Sequence, residues 1–322
     1  MPMNRRSLLL AGLAAPALAR PAFAAEKVKV AVFNVSSAMP FWVAQERGLF
    51  AEAGIEAEAV PLQVAPLIVQ AMVAGDVDMA SNLVTLEGAN INARRAGTAL
   101  YFALYGQNTQ YRMEQFVVRA SSQARTLTDL RGAKILSAPG PANMAAARGV
   151  LASVGLVENK DYTLTEQPMG VHVGALQAGT FDAAYTLEPA ASIAVRQGAG
   201  RLLEAGVIAT HLLGNPGAQA YAAGACFTGK FLQERPAVAA KVAQVWEKSI
   251  GMIASDASTR DLLVSRMQTP ADIAPGVPLA SYNMVKSMSP EAIGQFQAFV
   301  DVAVKQGVVR DRIDVKTFLR PL

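Results

Sequence analysis

The chain has 322 residues, 52% of them hydrophobic and 17% charged, so it can bury one or two sizeable cores and is not a disordered protein. Its sequence pI of about 9.2 overstates the charge. Residues 1–24 hold Arg5, Arg6 and Arg20 and no acid; of 29 Lys and Arg, 26 then remain against 25 acidic residues, and a balance of +1 gives no reason to expect a nucleic-acid partner.

The N-terminus reads as an export signal. Asn4-Arg5-Arg6-Ser7-Leu8-Leu9-Leu10 has twin-arginine form, with Leu at the consensus Phe and Lys positions. Leu8 to Leu18 is apolar, and Ala22-Phe23-Ala24 is a small-x-small cleavage site. The apolar run is too short for a bilayer core of about 30 Å, and no Cys follows it to carry a lipid. Cleavage after Ala24 and a periplasmic destination are expected.

The first mature unit is strand, loop, helix, strand. Lys27 to Phe33 (KVKVAVF) is a strand. Pro40 opens a helix whose apolar positions include Phe41, Val43, Ala44, Leu49, Phe50 and Ala53, and Gly54 suits its left-handed C-terminus. Alternation at Ile55, Ala57, Ala59 and Leu62 gives the second strand of a right-handed βαβ unit. The loop Asn34 to Met39 then lies at the carboxyl edge of the sheet, where ligands of open α/β sheets bind. A helix over Pro66 to Ala74 stops at Gly75, and a very short strand is expected to end at Ser81-Asn82. A helix over Val84 to Ala96 and a strand over Ala99 to Tyr105 follow.

Gln115 to Arg119 starts a second βαβ series. Thr126 or Thr128 caps a short helix, Lys134 to Ser137 is a strand, and a helix runs from about Asn143 to Gly155. Tyr162 to Glu166 and Asp182 to Leu187 are strands around a helix over Val171 to Ala178. ALQAGTFDAAYTLEP echoes the earlier AMVAGDVDMASNL: each reads helix, Ala-Gly, x-x-Asp, strand, polar loop, which suggests two similarly wound lobes. The chain should cross back in His211 to Tyr221 and add a strand over Ala220 to Phe227. Arg235-Pro236 sets the start of a long helix, and Thr259 to Met267 and Pro290 to Gln306 are further helices, expected on the first lobe and away from the cleft.

The run Ala44-Gln45-Glu46-Arg47-Gly48-Leu49-Phe50, the aromatic pair Phe41-Trp42 and the phrase AMVAGDVDMA resemble the periplasmic binding proteins for nitrate, sulfonates and taurine, whose relatives bind thiamine-type pyrimidine precursors. The resemblance covers roughly Val28 to Phe318. It implies an α/β, two-lobed periplasmic-binding-protein fold of type II, each lobe a doubly wound sheet flanked by helices. The expected divisions are 1–24 export signal, 25–113 first part of lobe 1, 114–214 lobe 2, and 215–322 the return to lobe 1. It implies, further, a monomer that hands a small molecule to a membrane ABC permease and its ATPase, with no cofactor.

Strand-end loops then supply the cleft wall. Candidates are Ser36, Ser37, Met39 and Phe41, Gln63, Ser81 and Asn82, Tyr105 and Gln107 from the first lobe. The second lobe offers Asn143, Met144, Thr186 and Glu188, and the hinge Tyr221. Each polar residue has a bland alternative as helix cap or turn former, and for Ser37 and Asn82 the two roles are open. Helix N-termini with Ser and Asn suit a sulfonate, nitrate or carboxylate. No Lys or Arg falls in these loops, Arg112 being the nearest, and the aromatic residues suit a neutral or aromatic ring compound instead. Glu188 is either an acceptor for an amine or ring N–H, or a structural acceptor at the hinge.

Enzyme readings lack their residues. There is no GxSxG, P-loop or complete GxGxxG, and His172 and His211 have no acid or Cys at metal-ligand spacing. His172 reads as a solvated or capping residue at a helix start. The lone Cys226 sits in apolar AGACFTG as a buried small residue and excludes an internal disulfide. The sequence therefore reads as the substrate-binding component of an importer for a small organic anion, with a ring-compound binder or an exported sensor subunit as the alternatives.

Overall fold

The computed structural model describes residues 25–322, and the expected export signal lies outside the described residues. The opening βαβ unit forms as the alternation predicts. Strand β1 (Glu26–Val32) buries Val28, Val30 and Val32, and strand β2 (Ile55–Pro61) pairs parallel to it from Glu26↔Ile55 to Val32↔Pro61. The single helix expected between them is two, Met39–Glu46 and Leu49–Glu52. Gly48, at φ 72°, turns the chain between them into a left-handed conformation that glycine takes without a Cβ clash. That turn drives Phe50 into the core, where its ring meets Phe41 and Trp246.

The first sheet continues with β3 (Met79–Val84) and β4 (Leu100–Gln107). The chain then builds a second sheet from β5 (Glu114–Arg119), β6 (Lys134–Ser137), β7 (Thr163–Glu166), β8 (Ala183–Leu187) and β9 (Gly200–Ala205). It returns to the first with β10 (Ala220–Phe227) and β11 (Ser281–Met284). The strand orders are β11-β4-β10-β3-β1-β2 and β7-β6-β8-β5-β9.

These orders superimpose. Read from β2 and from β7, each sheet has three parallel strands, then an antiparallel one, β10 or β5, then β4 or β9 running against that. The sequence echo has a physical cause. Asp78 Oδ2 accepts the Lys29 N–H at 2.8 Å and Asp182 Oδ2 accepts the Lys134 N–H at 2.9 Å, so each Asp ties the run-in of a central strand to its parallel neighbour. β11 is an extra edge strand on the first lobe.

Several expectations need correction. β5 is antiparallel to β8 and β9, so the second parallel series begins at β6. Ser81 and Asn82 do not end a strand, because β3 runs on to Val84 against β10. β9 and β11 were not anticipated. The C-terminal third does not stay away from the cleft: the Tyr282 hydroxyl donates to the carbonyl of Ser36 in the first cleft loop, and Asp272 meets Arg196 of the second lobe at 3.2 Å. The long helix Pro236–Ser255 does lie on the first lobe, where Trp246 donates to the Tyr105 hydroxyl at 2.8 Å inside a cluster of Phe41, Phe50 and Phe102.

Candidate functional site

The cleft is built where the strand ends of the two sheets face each other. From the first lobe come Phe33, Val35 and Ser37 after β1, Asn82 and Val84 on β3, and Ala222 and Ala223 on β10. The second lobe and its crossing bring Met113 and Glu114, Asn143 and Leu187, and together these enclose a cavity of about 20 Å³. One ordered water needs roughly 10–15 Å³ on this measure, so the described conformation is a closed one and a larger ligand enters only when the lobes part.

Asn82 organises the first-lobe wall. Its Oδ1 accepts from the Phe33 N–H and the Ser81 hydroxyl, and its Nδ2 donates to the Phe33 carbonyl and to Ser37 Oγ. All four valences of the amide are used, so Asn82 braces the β1 loop against β3 and is not a helix cap. Ser37, accepting from Asn82, keeps its own hydroxyl hydrogen to donate. On the facing wall Asn143, on the helix Pro141–Ser153, is buried and donates to the Pro139 carbonyl at 2.6 Å.

Contacts across the lobes close the cleft on two sides. The Ser36 N–H donates to the Glu188 carbonyl at 3.0 Å. At the mouth, Glu87, on the helix Thr85–Arg94 of the first lobe, accepts the Ala142 N–H at the start of the second-lobe helix at 3.1 Å.

The remaining predicted residues divide by what surrounds them. Met39 and Phe41 are wholly buried in the first-lobe core. Tyr105 is as well, its hydroxyl bonded to the Ser81 carbonyl and Trp246. Thr186 is on the sheet face that carries the helix His172–Gln177 and pairs with His172 Nδ1 at 2.7 Å. Tyr221 packs on Phe296, Met144 is part-buried against the core, and Gln63 is exposed beyond β2. Ser36 Oγ and Gln107 Nε2 are buried without a partner among the described residues, although Gln107 Oε1 accepts the Glu114 N–H.

His172 corrects the expectation of a solvated or capping residue at a helix start. It is buried, its Nε2 faces the Gln167 carbonyl, and burial lowers its pKa to about 4, so the ring is neutral and structural. Glu188 bridges Gln115 Nε2 and the Ser192 N–H, and burial raises its pKa. It faces a separate cavity of about 440 Å³, lined by Arg112 and Arg196 and, from the C-terminal third of the first lobe, by Asp272 and Ile273. Cys226 is a buried thiol whose pKa burial pushes up, as the apolar neighbours predict.

Sequence reasoning missed the acids. Glu114, buried at the head of β5, accepts the Tyr185 hydroxyl, and burial raises its pKa. Burial likewise pushes Glu87 up to about 7. The available signal was position: Glu87 lies in the first turn of the helix after Asn82, and Glu114 is the first residue past the crossing. Among the described residues no Lys or Arg side chain lines this cavity.

Two α/β lobes with matching strand orders, joined by two crossings and closed on a buried polar cleft, define a two-lobed binding-protein fold. Residues 22–267 match the model of the NMT1-like family, and the chain belongs to that family. No curated protein matches it. Among solved structures it is similar to the alkanesulfonate-binding protein SsuA from Xanthomonas axonopodis pv. citri bound to MOPS, at 20% identity and TM-score 0.72, over 92% of this chain and 98% of that one. The periplasmic nitrate-binding protein NrtA from Synechocystis PCC 6803 gives 14% identity and TM-score 0.72, over 92% and 86%. The desulfurization enzyme DszB gives 14% and 0.67, over 92% and 96%. At these identities the likeness is one of fold, and that fold carries both binding proteins and an enzyme.

Proposed function

We propose that the protein is the periplasmic substrate-binding component of an ABC importer, which captures a small organic molecule between its lobes and hands it to a membrane permease and its ATPase. The observation that carries this reading is the interlobe cleft itself. Polar groups from both sheets converge on one enclosed cavity, and the contacts that close it, Ser36 to Glu188 and Glu87 to Ala142, exist only when the lobes meet. A sulfonate- and a nitrate-binding protein of the same fold support the importer role. The buried, unactivated Cys226 and the neutral His172 offer no nucleophile or base to the cleft.

For the ligand, the lining favours the ring-compound alternative over the fixed anion. Among the described residues Glu114 is the one ionisable side chain on the cavity wall, and Glu87 joins the lobes nearby through the Ala142 N–H. A sulfonate or nitrate would meet no cation there to offset its charge. A neutral molecule with N–H groups would instead give the acids, and the amide oxygen of Asn143, donors to accept. Helix N-termini favour an anion, as do Arg112 and Arg196 in the separate, larger cavity beside Glu188.

A thermal-shift screen of the mature protein from Ala25 tests both levels. The panel comprises alkanesulfonates, taurine and nitrate on one side, and pyrimidine precursors, aromatic carboxylates and riboflavin on the other. A ligand at 100 times its Kd adds about 2.7 kcal/mol to stability. Stabilisation by amine-bearing rings is expected. Stabilisation by sulfonates alone would keep the binding role and overturn the ligand class. Turnover of any compound would overturn the binding role.

A further inference from the structure

We propose that Glu87 is a closure residue of the binding cycle, a first-lobe carboxyl that seals the cleft mouth against the second lobe and couples closing to the uptake of one proton. This rests on the two-lobed binding reading above, and goes beyond it in assigning a residue and a proton to the closing step.

The geometry is a carboxyl held between two helix starts. Glu87 stands in the first turn of Thr85–Arg94, and its Oε1 accepts the Ala142 N–H in the first turn of Pro141–Ser153, on the other lobe. Gly140, at φ 103°, brings the second-lobe backbone close enough that a Cβ there would sit 3.9 Å from that same oxygen. Oε2 is enclosed and has no hydrogen-bond partner among the described residues. A lone enclosed carboxylate oxygen is costly, whereas a neutral carboxyl leaves only a hydroxyl there.

The surroundings pull both ways: the Ala142 N–H and the Glu87 N–H, at two helix starts, favour the carboxylate, while burial, the largest effect, and Glu114 favour the neutral form and outweigh them. The titratable group that acts on Glu87 is Glu114 from β5, which is not a cation. The helix Ala65–Ala74 and strand β3, both packed on its helix, carry no charged side chain. Of the charged groups on the other packed elements, Arg148 on the second-lobe helix is engaged with Glu158. From Pro290–Lys305, Glu291, Asp301 and Lys305 do not act on it, Asp301 being held by Gln297.

On this proposal, opening the mouth exposes the carboxyl to water and lets its pKa fall from about 7 toward the ordinary 4.5 of a solvated carboxyl. The group is therefore raised in the closed state. Its contribution to closure is complete below about 4.5 and is lost as pH rises through about 7. Between pH 5 and pH 8 the closed-to-open ratio should fall by a factor on the order of tens.

The test needs no ligand. Spin labels on cysteines placed at exposed Leu67 of the first lobe and Val171 of the second report the interlobe distance in the mature chain, since native Cys226 is buried beyond labelling. In the wild type the closed fraction should fall from pH 5 to pH 8. Glu87→Gln, which keeps the acceptor and cannot ionise, should hold its closed fraction constant over that range, and Glu87→Ala should be more open than wild type at pH 5. A wild-type distance distribution that ignores pH, an equal pH response in Glu87→Gln, or a Glu87→Ala protein as closed as wild type at pH 5 would each overturn the proposal. Because the readout is ligand-free, a protein that binds nothing in the thermal screen yet closes with falling pH would cost the importer reading and leave the latch intact.

Discussion

Asn82 shows how much one amide carries. Its four hydrogen bonds hold the Phe33 backbone, Ser81 and Ser37 together, and these are the groups that shape the first-lobe wall. Asn82→Ala would strip partners from a buried N–H and carbonyl at once, and should cost about 3 kcal/mol in urea unfolding. If the loss stays under about 1 kcal/mol, the wall is held by other contacts. The Ser and Asn of this loop were legible in the sequence as polar residues near a strand end. Their bonding was not, because it depends on β1 and β3 lying side by side, which brings together residues from separate stretches of the chain.

At the scale of elements, the two crossings between lobes are tied to each other. The first, after β4, and the second, after β9, are bonded to each other by Thr109 N–H to the Pro216 carbonyl at 3.3 Å and by Asn108 Nδ2 to the Gly217 carbonyl at 3.1 Å. Gly206, at φ 67°, is where they touch most closely: a Cβ there would lie 2.6 Å from the Thr109 nitrogen. Gly206→Ala combines a left-handed backbone with a clash against main chain, and should destabilise by at least about 2 kcal/mol. A wild-type melting temperature in that variant would show that the crossings move independently. The sequence placed the return crossing in His211 to Tyr221, and the strand that follows it forms as β10. It gave no sign of Gly206, since nothing local distinguishes a glycine that avoids a neighbouring segment from one that ends a strand.

For the whole molecule, the export reading makes a direct prediction: protein recovered from the periplasm should have the mass of a chain that begins at Ala25, and an intact N-terminus would remove the signal from the account. The fold itself was largely legible. Glycine stops, strand alternation, the two Asp-bearing echoes and the Pro236 helix start are all local, and they determined two α/β lobes with one return crossing. Which side chains face the cleft was decided by the tertiary structure. Every residue of β4 and of β10 is buried, so alternation along these strands does not separate a core face from a ligand face. Tyr105 therefore went to Trp246 and Tyr221 to Phe296, while Glu87 reaches the Ala142 N–H only because one lobe closes on the other.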